Sequence, residues 1–281
     1  MADSRAKRWQ KLVSYALVLA LTESVVMLPQ PAASFDLFGR IRSIFAPRRS
    51  VGVARGRRVG AAVRDPDLCP PVQLPLTALS PDTDEPVKTS VEYPAFWFYM
   101  PYAFNQPHKD VSASNKPDRS SLRQTDAYRM KFVLQDEQQN DVYQTTFTLP
   151  ETTVPGVISL RFLSPKAALK VGKKYLWYFL VYCNDREEIY EPAFVEGVIQ
   201  REALNDELRN KIAREDSQNR FLSYAEARLW YDTLMSLDTS RSTVDVATFQ
   251  SSWEAVLQGS GINKEISQQP ITGHYYVSAE P

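Results

Sequence analysis

Histidine is the side chain best suited to moving protons near neutral pH, and this chain has two, His108 and His274, 166 positions apart (274 − 108). That is too little material for histidine-based acid/base catalysis or a histidine-rich metal site. His108 stands in "NQPHKD", a polar loop. No glycine-rich phosphate loop, serine elbow or closely spaced cysteine pair occurs anywhere. Glu187, Glu188 and Glu191 form a dense acidic group in "NDREEIYEP", and a solvated loop accounts for them better than a carboxylate pair would. Asp136, Glu137 and Asp141 lack the alternation an oxygen cage for calcium needs. The expectation is a protein that is not an enzyme, with no catalytic residues, no metal and no cofactor.

The two cysteines, Cys69 and Cys183, take their meaning from the compartment. Residues 1–66 carry 12 Lys or Arg against 4 Asp or Glu, leaving 21 against 29 for the rest, so a basic leader precedes an acidic body. Arg5, Lys7, Arg8 and Lys11 form a positive n-region, Leu12 to Leu21 an apolar h-region, and Ala32 to Ser34 a small-residue cleavage site. Residues 1–34 therefore read as a signal peptide, with an uncleaved anchor as the alternative because Val25 to Leu28 resume the apolar run. Export to the periplasm or envelope makes a Cys69–Cys183 disulfide the expectation. Its loop of about 114 residues (183 − 69) would be worth about 4 to 5 kcal/mol in the chain-entropy picture.

Residues 35–66, with 8 Arg and 2 Asp, read as an extended basic linker. Within it Phe35, Phe38, Ile41 and Phe45 fall at helical spacing, so residues 35–49 are a candidate membrane contact. Nucleic acid is not expected as a partner, because the body is acidic and the compartment wrong.

From residue 67 to 200 short aromatic and β-branched runs alternate with turn residues. Strands are predicted near 74–79, 87–100, 127–135, 141–149, 157–162, 174–183 and 193–200, which fits an antiparallel, immunoglobulin- or fibronectin-like β-sandwich. Leu169, Gly172 and Tyr175 resemble the corner of such sandwiches, where a tyrosine hydroxyl pins a glycine turn. In "YPAFWFYMPY" (93–102) and in 175–182 both strand faces are apolar or aromatic, so each needs cover on two sides. Helical periodicity over 201–262 supplies it: Leu204, Leu208 and Ile212, then Tyr224, Ala227, Tyr231 and Leu234, then Val246, Phe249, Trp253 and Leu257. Asp245 is a suitable N-cap and Gly259 and Gly261 suitable stops. "YAEARLWYDTLMSL" has the look of one tetratricopeptide-type hairpin with a further helix beside it. The tail, 263–281, shows no clear element.

In order along the chain, "GAAVRDPDLCP", "LTALSP", "YPAFWFYMPY", "FVLQDEQQNDVYQTTFTLP", "PGVISL", "LKVGKKYLWYFLVYC", "FVEGVIQR" and "YAEARLWYDTLMSL" resemble a family of exported cyanobacterial proteins that carries only a domain-of-unknown-function label. The resemblance spans about residues 60 to 258 and implies an extracytoplasmic location and no assigned activity. Arg228 departs from it, standing where a glycine is expected between two helices.

The long polar connection 103–125, with Tyr102, Phe104 and His108 at its base, is the candidate binding loop. Two functions are expected in order: a non-catalytic interaction or scaffold module of the cyanobacterial cell envelope that binds a protein partner, then a carbohydrate-binding module built on exposed aromatics. Accessibility of Trp97, Tyr99, Trp177 and Tyr178 separates them.

Overall fold

In the computed structural model, which describes residues 32–45, 57–60, 69, 71–103, 128–150, 152–183 and 192–278, the aromatic run becomes a strand buried on both faces. The strands are β1 (Thr77–Ala78), β2 (Val87–Thr89), β3 (Phe96–Met100), β4 (Arg129–Gln135), β5 (Asp141–Thr148), β6 (Gly156–Phe162), β7 (Lys174–Tyr182), β8 (Ala193–Arg201) and β9 (Ile271–Val277). The helices are α1 (Ala32–Phe45), α2 (Asp206–Arg214), α3 (Arg220–Glu226), α4 (Trp230–Ser240), α5 (Val246–Gly259) and α6 (Lys264–Ser267). Two sheets form, ordered β1-β3-β6-β9 and β2-β8-β7-β4-β5.

Side-chain alternation along β3 explains why both of its faces are greasy. Phe96 and Phe98 point into the space between the sheets, where Phe98 stacks on Phe179 at 4.3 Å and Phe96 meets Phe132 at 4.9 Å. Trp97, on the opposite face, packs on Trp253 of α5 at 5.3 Å. Helices therefore seal the outer face of the four-stranded sheet. Strand β7 differs: Tyr175, Trp177, Phe179 and Val181 are buried, whereas Leu176, Tyr178, Leu180 and Tyr182 are only half-buried. The expected shelter on both sides of 175–182 is thus corrected. Helices cover one sheet, and β7 belongs to the other.

Two further expectations change. The predicted strand 87–100 is two strands in different sheets, because Pro94 lacks a ladder donor and the Ser90 N–H is taken by Asp232 at 3.0 Å. The sandwich-like body is also mixed rather than antiparallel, since β2 pairs with β8, and β9 with β6, in parallel. Parallel partners need long crossovers, and here each crossover carries other strands or the helical unit. Strand β9 comes from the tail that showed no element; Gly273 and His274 break its apolar pattern, and its register on β6 shifts between Val157 and Ile158.

Within the stretch expected as an extended linker, the described residues 35–45 and 57–60 pack against the body. Helix α1 buries Ile41 completely and Phe45 almost so, and Phe45 meets Trp230 edge-on at 4.9 Å. Gly259 makes the close approach possible, because a Cβ there would stand 2.6 Å from Ile41 Cγ2. On the rim, Arg40 and Lys211 both pair with Glu226, at 2.5 and 2.7 Å. Residues 57–60 then bond to both sheets: Glu196 N–H of β8 donates to the Arg57 carbonyl at 2.8 Å, and Ala78 N–H of β1 to the Arg58 carbonyl at 2.9 Å, while Gly60 N–H donates to the Leu76 carbonyl at 2.8 Å. Among the described residues no helix is long and apolar enough to cross a membrane.

Local signals are placed simply. The Asp245 carboxylate accepts from Thr248 N–H at 3.0 Å and caps α5, which ends at Gly259. Helices α3 and α4 are joined by three residues, with Arg228 in the left-handed region at φ 60°.

Candidate functional site

The half-buried side of the five-stranded sheet is built from cross-strand rows. Antiparallel register sets Phe194, Leu180, Lys131 and Thr146 side by side, then Glu196, Tyr178, Val133 and Gln144, then Val198, Leu176 and Gln135, then Tyr182 and Arg129. Residues directly opposite in such a ladder share a face. The result is an apolar and aromatic strip along β7 and β8, bordered by bases on β4 and by Glu196 on β8. The Arg57 guanidinium lies 4.4 Å over the Phe194 ring, so the N-terminal segment marks one edge of the strip. Burial, then Glu196, then Asp141 push the Tyr178 phenol above its usual range.

The 103–127 connection joins β3 of the four-stranded sheet to β4 at one end of this sheet. Tyr102 is 4% exposed and stacks on Tyr128 at 5.2 Å, which clamps the two ends of the 103–127 connection. Burial raises both phenols to about 12. Tyr102 is therefore a stem residue rather than a contact surface. Phe104 and His108 lie outside the described residues, as do Glu187, Glu188 and Glu191. Cys69 and Cys183 are disulfide-bonded with Cα atoms 5.1 Å apart at the same end of β7. A bond of that kind belongs to an oxidising, extracytoplasmic environment. At the other end, Leu169 is buried, Gly172 has φ 78°, and the Tyr175 hydroxyl accepts from Lys170 N–H at 3.2 Å.

The structure also assembles polar groups that no local pattern announces. Asp232, 3% exposed in the first turn of α4, accepts from Thr89 Oγ1 at 2.8 Å and from the Ser90 N–H and hydroxyl. Burial lifts its carboxyl above the ordinary range, against those hydrogen bonds. Thr89 and Ser90 lie more than 140 positions away, so no spacing rule finds them.

A second group joins Ser159, His274 and Asp238. Ser159 Oγ lies 2.8 Å from His274 Nδ1, and His274 Nε2 lies 3.7 Å from Asp238 Oδ1. The ring nitrogens are used in the opposite sense to a serine hydrolase triad. Ser159 sits mid-strand between β3 and β9, so the amides around it serve the ladders rather than an oxyanion. The arrangement is a strut that ties β6, β9 and α4 together. Among the described residues no group of three or more His, Cys, Asp or Glu side chains could hold a metal ion.

These features define a class: a two-sheet, mainly β protein, disulfide-closed, with a helical unit on one sheet and an open face on the other. The chain belongs to the family described as Domain of Unknown Function (DUF928), whose model matches residues 59–271. Comparison with curated proteins gave no match, and comparison with solved structures gave none.

Proposed function

We propose that this protein is a non-catalytic interaction module of the cyanobacterial cell envelope, exported to the periplasmic side, whose β7–β8 face docks a protein partner. One observation carries the proposal: Leu176, Tyr178, Leu180 and Tyr182 stay half-exposed along a strand whose other face is wholly buried. An apolar centre with Tyr and a charged border is the composition of a protein-docking patch. The immunoglobulin-like kinship is part of the same proposal, supported by the Tyr175 hydrogen bond at the Gly172 turn. The carbohydrate reading is the weaker one, since Trp97, Tyr99 and Trp177 are core residues.

The test places a photo-crosslinking residue at Tyr178 in the full chain in its native envelope. A single protein adduct is expected, at least tenfold reduced by Leu180→Glu and unchanged by Val246→Glu, a site 83% exposed elsewhere. An adduct indifferent to Leu180→Glu, or none at all, overturns the docking face.

A further inference from the structure

Behind the helices, away from the docking face, lies a cavity of about 200 Å³, room for on the order of seven waters. Arg220 and Tyr224 of α3, Asp232, Met235 and Ser236 of α4, and Val91 after β2 line it. Helix α3 offers Arg220 and Tyr224 four positions apart, hence on one face. Helix α4 offers Asp232, Met235 and Ser236 by the same spacing.

The polar groups here are unequally served. Asp232 is already supplied with donors by Thr89 and Ser90, so it needs nothing from a ligand. Arg220 is the opposite case. Its Nη2 donates to the Glu215 carbonyl at 3.2 Å, while its Nε is buried without an acceptor. No carboxylate pairs with Arg220 among the described residues. The Tyr224 hydroxyl senses both charges, raised by burial and Asp232 and drawn back by Arg220.

Arg220 lines the cavity, which puts a guanidinium with no carboxylate partner among the described residues within reach of a ligand there. Guanidinium presents paired donors that match a planar carboxylate. The neighbouring hydroxyls of Tyr224 and Ser236 favour a ligand that is itself hydroxylated. We propose that this cavity binds a small hydroxylated carboxylate, with Arg220 as its anchor, Tyr224 and Ser236 as its polar contacts, and Val91 and Met235 against its carbon skeleton. The site is independent of the docking face.

Calorimetric titration of the full chain tests it, with D-glucuronate as probe, D-glucose as the ring without the carboxylate, and a glucuronate-terminated tetrasaccharide to separate a free acid from a polymer end. Saturable binding of glucuronate or the tetrasaccharide is expected, with glucose at least tenfold weaker. Arg220→Gln should weaken binding at least tenfold. Ser236→Phe, which fills the cavity from a partly exposed position, should abolish it at an unchanged unfolding midpoint, and this variant decides the matter if Arg220→Gln fails to fold. Leu180→Glu should leave it intact. Failure of both acidic probes to saturate, equal binding of glucose, or indifference to Ser236→Phe overturns the proposal.

Discussion

Asp232 shows how burial can outweigh the hydrogen bonds around a carboxyl. The first turn of a helix favours a carboxylate, and Thr89 and Ser90 donate to it, yet burial outweighs both and raises its pKa. The folded chain therefore retains a proton that the unfolded chain loses near pH ~4. Stability from the neutral form is complete below that point and is lost as pH rises through the raised value. Asp232→Asn cannot titrate. The stability of the natural chain minus that of Asp232→Asn should therefore fall as pH rises above about 4, with a limiting slope of roughly 1.4 kcal/mol per pH unit while the folded chain alone keeps the proton. Urea unfolding at a series of pH values measures it, and a difference that stays flat or grows with pH contradicts the assignment.

At the scale of elements, the turn between α3 and α4 carries a local conflict. Arg228 occupies the left-handed region at φ 60°, where a side chain with a Cβ costs about 1 to 2 kcal/mol and glycine almost nothing. Its amide donates to the Ala225 carbonyl at 2.8 Å, so the turn is held by backbone that any residue supplies. Arg228→Gly should stabilise the chain by about 0.5 to 1 kcal/mol, the strain relieved less the added freedom of the unfolded glycine. An unchanged or lower midpoint in chemical denaturation would show that the arginine compensates elsewhere. The same turn shows what sequence can reveal. Asp245, Gly259 and the β4–β5 hairpin were legible because their partners are a few residues away. Strand β9 was not, because Gly273 and His274 interrupt its alternation and its partner β6 lies across the whole helical unit. The aromatic content of β7 was visible, but which of its faces stays open depended on which sheet the helices chose. Arg220 and Asp232 line one cavity because α3 turns back on α4.

For the molecule as a whole, the decisive contrast is between a tether and a clasp. A tether spanning residues 35–66 would leave the body's stability unchanged when removed. The structure instead seats Ile41 against Gly259 and Phe45 against Trp230, and stitches residues 57–60 to both β8 and the chain at Leu76. Full burial of two such side chains is worth about 1.5 to 3 kcal/mol each. The edge hydrogen bonds add roughly 1 kcal/mol apiece. Deleting residues 1–60 while keeping Cys69 should therefore cost several kcal/mol, which for a chain of this size lowers the unfolding midpoint by on the order of 10 °C. Deleting residues 1–31 alone should not. Thermal unfolding of the two truncations under oxidising conditions separates the cases, because the Cys69–Cys183 bond constrains both unfolded states alike. Equal midpoints would return α1 and residues 57–60 to the role of a passive linker, whereas the expected gap shows that the basic segment holds the two sheets and the helical unit as one body.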